Sequence, residues 1–154
     1  MKGIYGIYTN NDELLYVGMT MTSFRSRFDW HQECVNDFGV KSTRYATIET
    51  LLKEGKDVYM KPILNLEDIS LSYHHVLTSR DVECMELAII SMLKPKLNIQ
   101  GTITNYSFEE RPECFVCTRY EPGYEKPVLN NQWCYYFTLD GSDDSRNVKE
   151  VMVI

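Results

Sequence analysis

With 154 residues, 44% of them hydrophobic and 25% charged, the chain suits one domain, or a domain of roughly 100 residues with an appendage. Its 16 basic and 22 acidic residues give a net charge of −6, which excludes a broad basic nucleic-acid footprint and leaves any such affinity to a local patch. No run approaches the ~18 apolar residues of a membrane span, and Met1-Lys2-Gly3 leads straight into strand-like sequence, so neither an anchor nor a signal peptide is expected.

Residues 2–8 (KGIYGIY) and 14–18 (LLYVG) are apolar and aromatic, and Thr9-Asn10-Asn11-Asp12-Glu13 separates them. Asn and Asp clustered between two β-prone runs predict a hairpin. Thr22 and Ser23 are candidate N-caps for a helix over about 23–37. A second helix is expected over 42–54, closed by Gly55, and a strand over 57–66, in which Pro62 calls for an edge position or a bulge.

Residues 67–78 are a polar connection holding His74 and His75, read as a surface loop. Val82, Met85, Ile89 and Met92 then recur at helical spacing, predicting a third helix over 79–93 that Pro95 stops. The order β-β-α-α-β-α fits an α+β fold, a small antiparallel three-stranded sheet flanked by helices. Beyond Gly101 the character changes. Residues 114–120 and 133–139 look like two strands and 148–154 like a third, so residues 102–154 are expected to form an acidic, β-rich extension packed on a domain spanning 1–101.

Chemistry concentrates in the first 101 residues. Gly3-Ile4-Tyr5 is followed after ten residues by Tyr16-Val17-Gly18; Arg27 and His31 lie four apart, hence on one helix face; Glu86 stands nine residues before Pro95 in an otherwise apolar run; and Asn98 closes Pro95-Lys96-Leu97-Asn98. In that order and spacing the set resembles the GIY-YIG nuclease family, over roughly residues 1–101. Gly6-Ile7-Tyr8 repeats the first triplet, but only the Gly3-Ile4-Tyr5 register leaves the family's ten-residue gap. Leu97 replaces the aromatic usual before the Asn. Met19 stands where many members carry a Lys after the second glycine.

The resemblance implies a DNA endonuclease. Tyr5 and Tyr16 would face a shared cleft from neighbouring strands and hold the attacking water, with Tyr5 or His31 as general base. Arg27 would clamp a phosphate and stabilise the charge of the transition state. Glu86 would hold one Mg²⁺ or Mn²⁺ against the scissile phosphate, with Glu83, one turn earlier, as its rival. Asn98 would hydrogen-bond around the site. Without a cation beside it, a phenol of ordinary pKa near 10 is a reluctant base at neutral pH, so the loss of the Lys at position 19 matters.

The expected partner is DNA, in the cytoplasm, with residues 102–154 available for a homodimer or a protein partner. The alternative is an inactive module of the same fold binding DNA or protein. Cys114-x-x-Cys117 with Cys134 invites a zinc reading, yet no His follows position 75 and three cysteines do not fill a four-ligand site. The five cysteines, which include Cys34 and Cys84, read instead as reduced thiols of an intracellular protein.

Overall fold

A computed structural model describes residues 3–10, 12–66, 78–98 and 134–139. Strands β1 (Gly3–Thr9) and β2 (Glu13–Thr20) form the hairpin, helices α1 (Phe24–Val35) and α2 (Thr43–Lys53) follow, and β3 (Val58–Asn65) returns to the sheet. Helix α3 (Ser79–Leu93) and a two-residue strand β4 (Tyr135–Tyr136) complete the described elements. The sheet is antiparallel, in the order β2-β1-β3-β4.

Local chemistry places the ends of these elements. Ser23 caps α1 by accepting from the Ser26 amide. Thr78 and Asp81 form a reciprocal capping box on α3, whose far end passes through Lys94 in the left-handed region just before Pro95. Pro62 sits at a bulge: Tyr5 pairs with Pro62 and Ile4 with Leu64, so Ile63 is the extra residue.

The sheet has a packed layer on each side. Tyr5, Ile7, Phe24, Phe28, Tyr45, Ile48, Val58 and Met60 belong to the core shared with α1 and α2. Ile4, Val17 and Leu64 belong to the core shared with Val82, Met85, Ile89 and Ile90 of α3. Period-two alternation along β1 produces this division, since Ile4 and Tyr5 must face opposite ways. Helix α3 packs mainly on β2, the edge strand, and less on β1.

The three-stranded core expected from the sequence is present, and the C-terminal region adds the fourth strand. Tyr135 stacks on Phe28 and Phe137 packs against it at a tilt, with ring centroids 5.1 and 4.8 Å away. The Gln32 side chain exchanges two hydrogen bonds with the backbone of Thr138, at 2.7 and 2.9 Å. Residues 134–139 are thus packed on α1 and β3. The expected strands over 114–120 and 148–154, the His74-His75 loop and the Cys114/Cys117 pair lie outside the described residues. Among the described residues no helix is long and apolar enough to cross a membrane.

Candidate active site

Six of the singled-out positions fall in or beside one cluster, built from β1, β2, α1, α2 and α3. A bulge in the hairpin sets its geometry. Tyr16 pairs with Ile7 and Tyr5 with Gly18, so the two phenols are diagonal neighbours on one face and not direct partners. Their ring centroids are 6.4 Å apart. Gly18 is required because the Tyr5 ring lies across it: a Cβ there would stand 2.3 Å from the Tyr5 hydroxyl. Gly3 makes room in the same way for Phe24 at the start of α1, whose ring would lie 2.2 Å from an added Cβ.

Helix α1 delivers His31 into this face. The Tyr5 hydroxyl lies 2.7 Å from Nε2 of His31, and Nδ1 of His31 lies 2.7 Å from the hydroxyl of Tyr45. The three side chains form a buried hydrogen-bonded chain, with Tyr5 2% and His31 1% exposed. Burial is the main reason that the His31 pKa is pushed down to about 3, with help from the Arg44 and Arg27 charges. His31 is therefore neutral at physiological pH, with one nitrogen donating and the other accepting. Burial also drives the Tyr5 phenol well above its ordinary range, reinforced by Tyr16 and opposed by Arg27 and Arg44.

Around this chain stand half-buried charged and polar groups that meet solvent. Arg27, four residues before His31, lies with its guanidinium 5.4 Å from the Trp30 ring centroid. Glu86 projects from α3 within electrostatic reach of Tyr5, Tyr16, Arg27 and Arg44. Its carboxyl pKa is raised to about 7, by burial first and by Glu83 second, against the pull of the two arginines. No ion pair within 4 Å joins Glu86 to either arginine among the described residues. Glu83 is exposed, whereas Glu86 is half-buried.

Asn98 holds the edge of the site together. Its amide accepts from Val17 N–H and donates to Val17 C=O, both at 2.8 Å. These are groups that edge strand β2 would otherwise leave unpaired. The Leu97 amide adds a bond to the Leu15 carbonyl at 2.9 Å. Asn98 fixes the backbone beside Tyr16.

No family model matches the chain, and no curated protein or solved structure matches it.

Two of its residues escaped the sequence reading. Tyr45 completes the chain behind His31. Arg44, the preceding residue, lies with its guanidinium 3.9 Å from the centroid of the Tyr16 ring. An Arg-Tyr pair inside an ordinary amphipathic helix carries no signal of its own; only the docking of α2 beside α1 brings both to Tyr5 and Tyr16.

The donor set bears on a metal. Among the described residues no group of three or more His, Cys, Asp or Glu side chains could cage an ion. A single carboxylate with raised proton affinity and no cation salt-bridged to it suits Mg²⁺ or Mn²⁺, which keeps several waters and takes its remaining ligands from a substrate phosphate. Glu86 fits that role; Glu83 can contribute only from the exposed side.

Proposed function

We propose that the chain is a divalent-metal-dependent DNA endonuclease of GIY-YIG type, hydrolysing phosphodiester bonds in the cytoplasm. One observation carries the reading: the Tyr5 hydroxyl, bonded to His31, shares a cluster with Tyr16, Arg27 and Glu86. These are the residue types that water-mediated phosphodiester hydrolysis requires, namely a proton acceptor, a cation for the developing charge and a carboxylate for a metal.

Tyr16 is the more accessible phenol and Tyr5 the buried one, so water entering the cleft meets the pair from the Tyr16 side. As the water attacks phosphorus, its proton passes to the Tyr5 oxygen while the Tyr5 proton moves to Nε2 of His31. That transfer needs the tautomer in which Nδ1–H donates to Tyr45, and Tyr45 holds it. His31 is a weak base in the free protein, and the negative charge of an arriving phosphate raises its proton affinity. Arg27 takes up the charge growing on the non-bridging oxygens. A cation on Glu86 would supply Lewis-acid stabilisation of the leaving 3′ oxygen. The 3′ oxygen leaves with the bonding electrons and takes a proton from solvent, giving 5′-phosphate and 3′-hydroxyl ends, and His31 returns its proton to solvent through Tyr5.

A second reading, an inactive module of the same fold binding DNA or protein, is favoured by the near-complete burial of Tyr5 and His31 and by Met19 in place of a cation. Cleavage of supercoiled plasmid with Mg²⁺ or Mn²⁺, run beside Glu86→Ala, separates the two. Cutting by the wild type alone supports the nuclease. An intact plasmid with both proteins supports the inactive module.

A further inference from the structure

A chain of net charge −6 needs a concentrated cationic spot if it is to hold DNA, and the site contains one that is only half accounted for. Arg27 and Arg44 approach the same group of side chains from α1 and α2, and both charges act on Tyr5, Tyr16, His31 and Glu86. Among the described residues neither arginine is salt-bridged to a carboxylate. Arg44 is only partly satisfied: its side chain acts on the Tyr45 phenol as a hydrogen-bond partner, but its Nε is buried with no partner among the described residues.

An unbonded guanidinium N–H inside a protein is costly, and an anion with two oxygens removes that cost by accepting from Nε and a terminal nitrogen together. The guanidinium lies over the Tyr16 ring, 3.9 Å from its centroid, and this cation–π contact holds it beside the cluster. We propose that Arg44 is a second phosphate clamp, gripping the nucleic-acid backbone from α2 while Arg27 grips it from α1. This assignment rests on the nuclease reading and deepens it: the ligand is a phosphodiester backbone, bound by two guanidiniums independently of sequence. The same charge beside Tyr16 supplies the cation that Met19 does not. The competing role for Arg44 is structural, a cation–π staple joining α2 to β2.

Binding of a short DNA duplex without divalent metal, followed by fluorescence anisotropy over a salt series, distinguishes them. A phosphate contact releases counterions, so Arg44→Gln should lower the slope of log K against log salt by about 1 and weaken binding about tenfold at 0.1 M salt, equally for unrelated sequences. Arg44→Lys should keep the slope, having kept the charge, yet lower plasmid cleavage at least tenfold, because a point charge does not replace the fork. A staple would give Arg44→Gln a lower Tm with an unchanged salt slope, which overturns the clamp.

Should Arg44→Gln fail to fold, Arg44→Lys decides: wild-type cleavage by that variant overturns the clamp. A wild-type protein without salt-dependent DNA binding overturns the clamp and the nuclease reading together. Binding with the expected slope change but without cleavage supports the clamp and removes only the hydrolytic role.

Discussion

Glu86→Gln is the substitution whose outcome the structure specifies most closely, because it should stabilise the protein while removing the proposed cleavage. The carboxyl pKa rises from 4.5 to about 7 in the folded chain, which corresponds to about 3 kcal/mol between the two protonation states. The native protein thus binds this proton more tightly than the unfolded chain does. The contribution of the group is intact below about pH 4.5 and is lost as the pH rises through about 7. Glutamine has nearly the same shape and no charge to desolvate.

In metal-free buffer the variant should match the wild type near pH 4 and exceed it at pH 8, by at most about 3 kcal/mol or on the order of 10 °C in Tm. Partial exposure of Glu86 lowers this ceiling. Added Mg²⁺ or Mn²⁺ should raise the wild-type Tm, by about 2.7 kcal/mol in stability at 100 times Kd, and leave the variant unmoved. Thermal unfolding at several pH values, with and without the ion, makes the comparison, and plasmid cleavage by the variant should be absent. A Tm difference independent of pH, or a variant less stable than wild type at pH 8, would refute the idea that Glu86 is a desolvated carboxylate awaiting a cation.

Three further outcomes follow from the geometry. Tyr5→Phe leaves a His31 nitrogen unpaired in the core; it should cost about 1–3 kcal/mol and lower cleavage by roughly 10²–10⁴-fold, and near wild-type cutting by this variant would remove Tyr5 from the proton path. Gly18→Ala places a methyl 2.3 Å from the Tyr5 hydroxyl, so the ring must leave its bond with His31; a loss of about 1–3 kcal/mol is expected in denaturant unfolding, together with loss of cleavage. Asn98→Ala strips partners from both backbone groups of Val17, at a cost of about 2 kcal/mol, and hydrogen exchange at the Val17 amide should accelerate while exchange along β3 does not.

Much of the fold was legible because it depends on local chemistry. Asn and Asp between two aromatic runs fixed the hairpin, Ser23 announced the start of α1, and the i, i+3 and i+4 spacing of apolar residues marked α3. Pro62 was legible as an edge position or a bulge because it has no N–H to give to a ladder, and the structure, with β3 between β1 and β4, takes the bulge. A strand within 133–139 was legible too, but its place as fourth strand beside β3 was not, because that rests on Phe28, Gln32 and Val58, all more than seventy residues away.

By itself the sequence determined which residue types line each strand and helix face, and its resemblance to the GIY-YIG family singled out Tyr5, Tyr16, Arg27, His31, Glu86 and Asn98. Only the tertiary structure decided how they meet. A one-residue bulge sets the phenols on a diagonal, and burial, which no window of sequence reports, makes His31 neutral and Glu86 hard to ionise. The docking of α2 adds Arg44 and Tyr45, and the exposed edge of β2 turns Asn98 into its backbone clamp. These properties are legible only in three dimensions, because desolvation and charge depend on every element packed around a side chain, whereas periodicity and capping depend on a few neighbours along the chain.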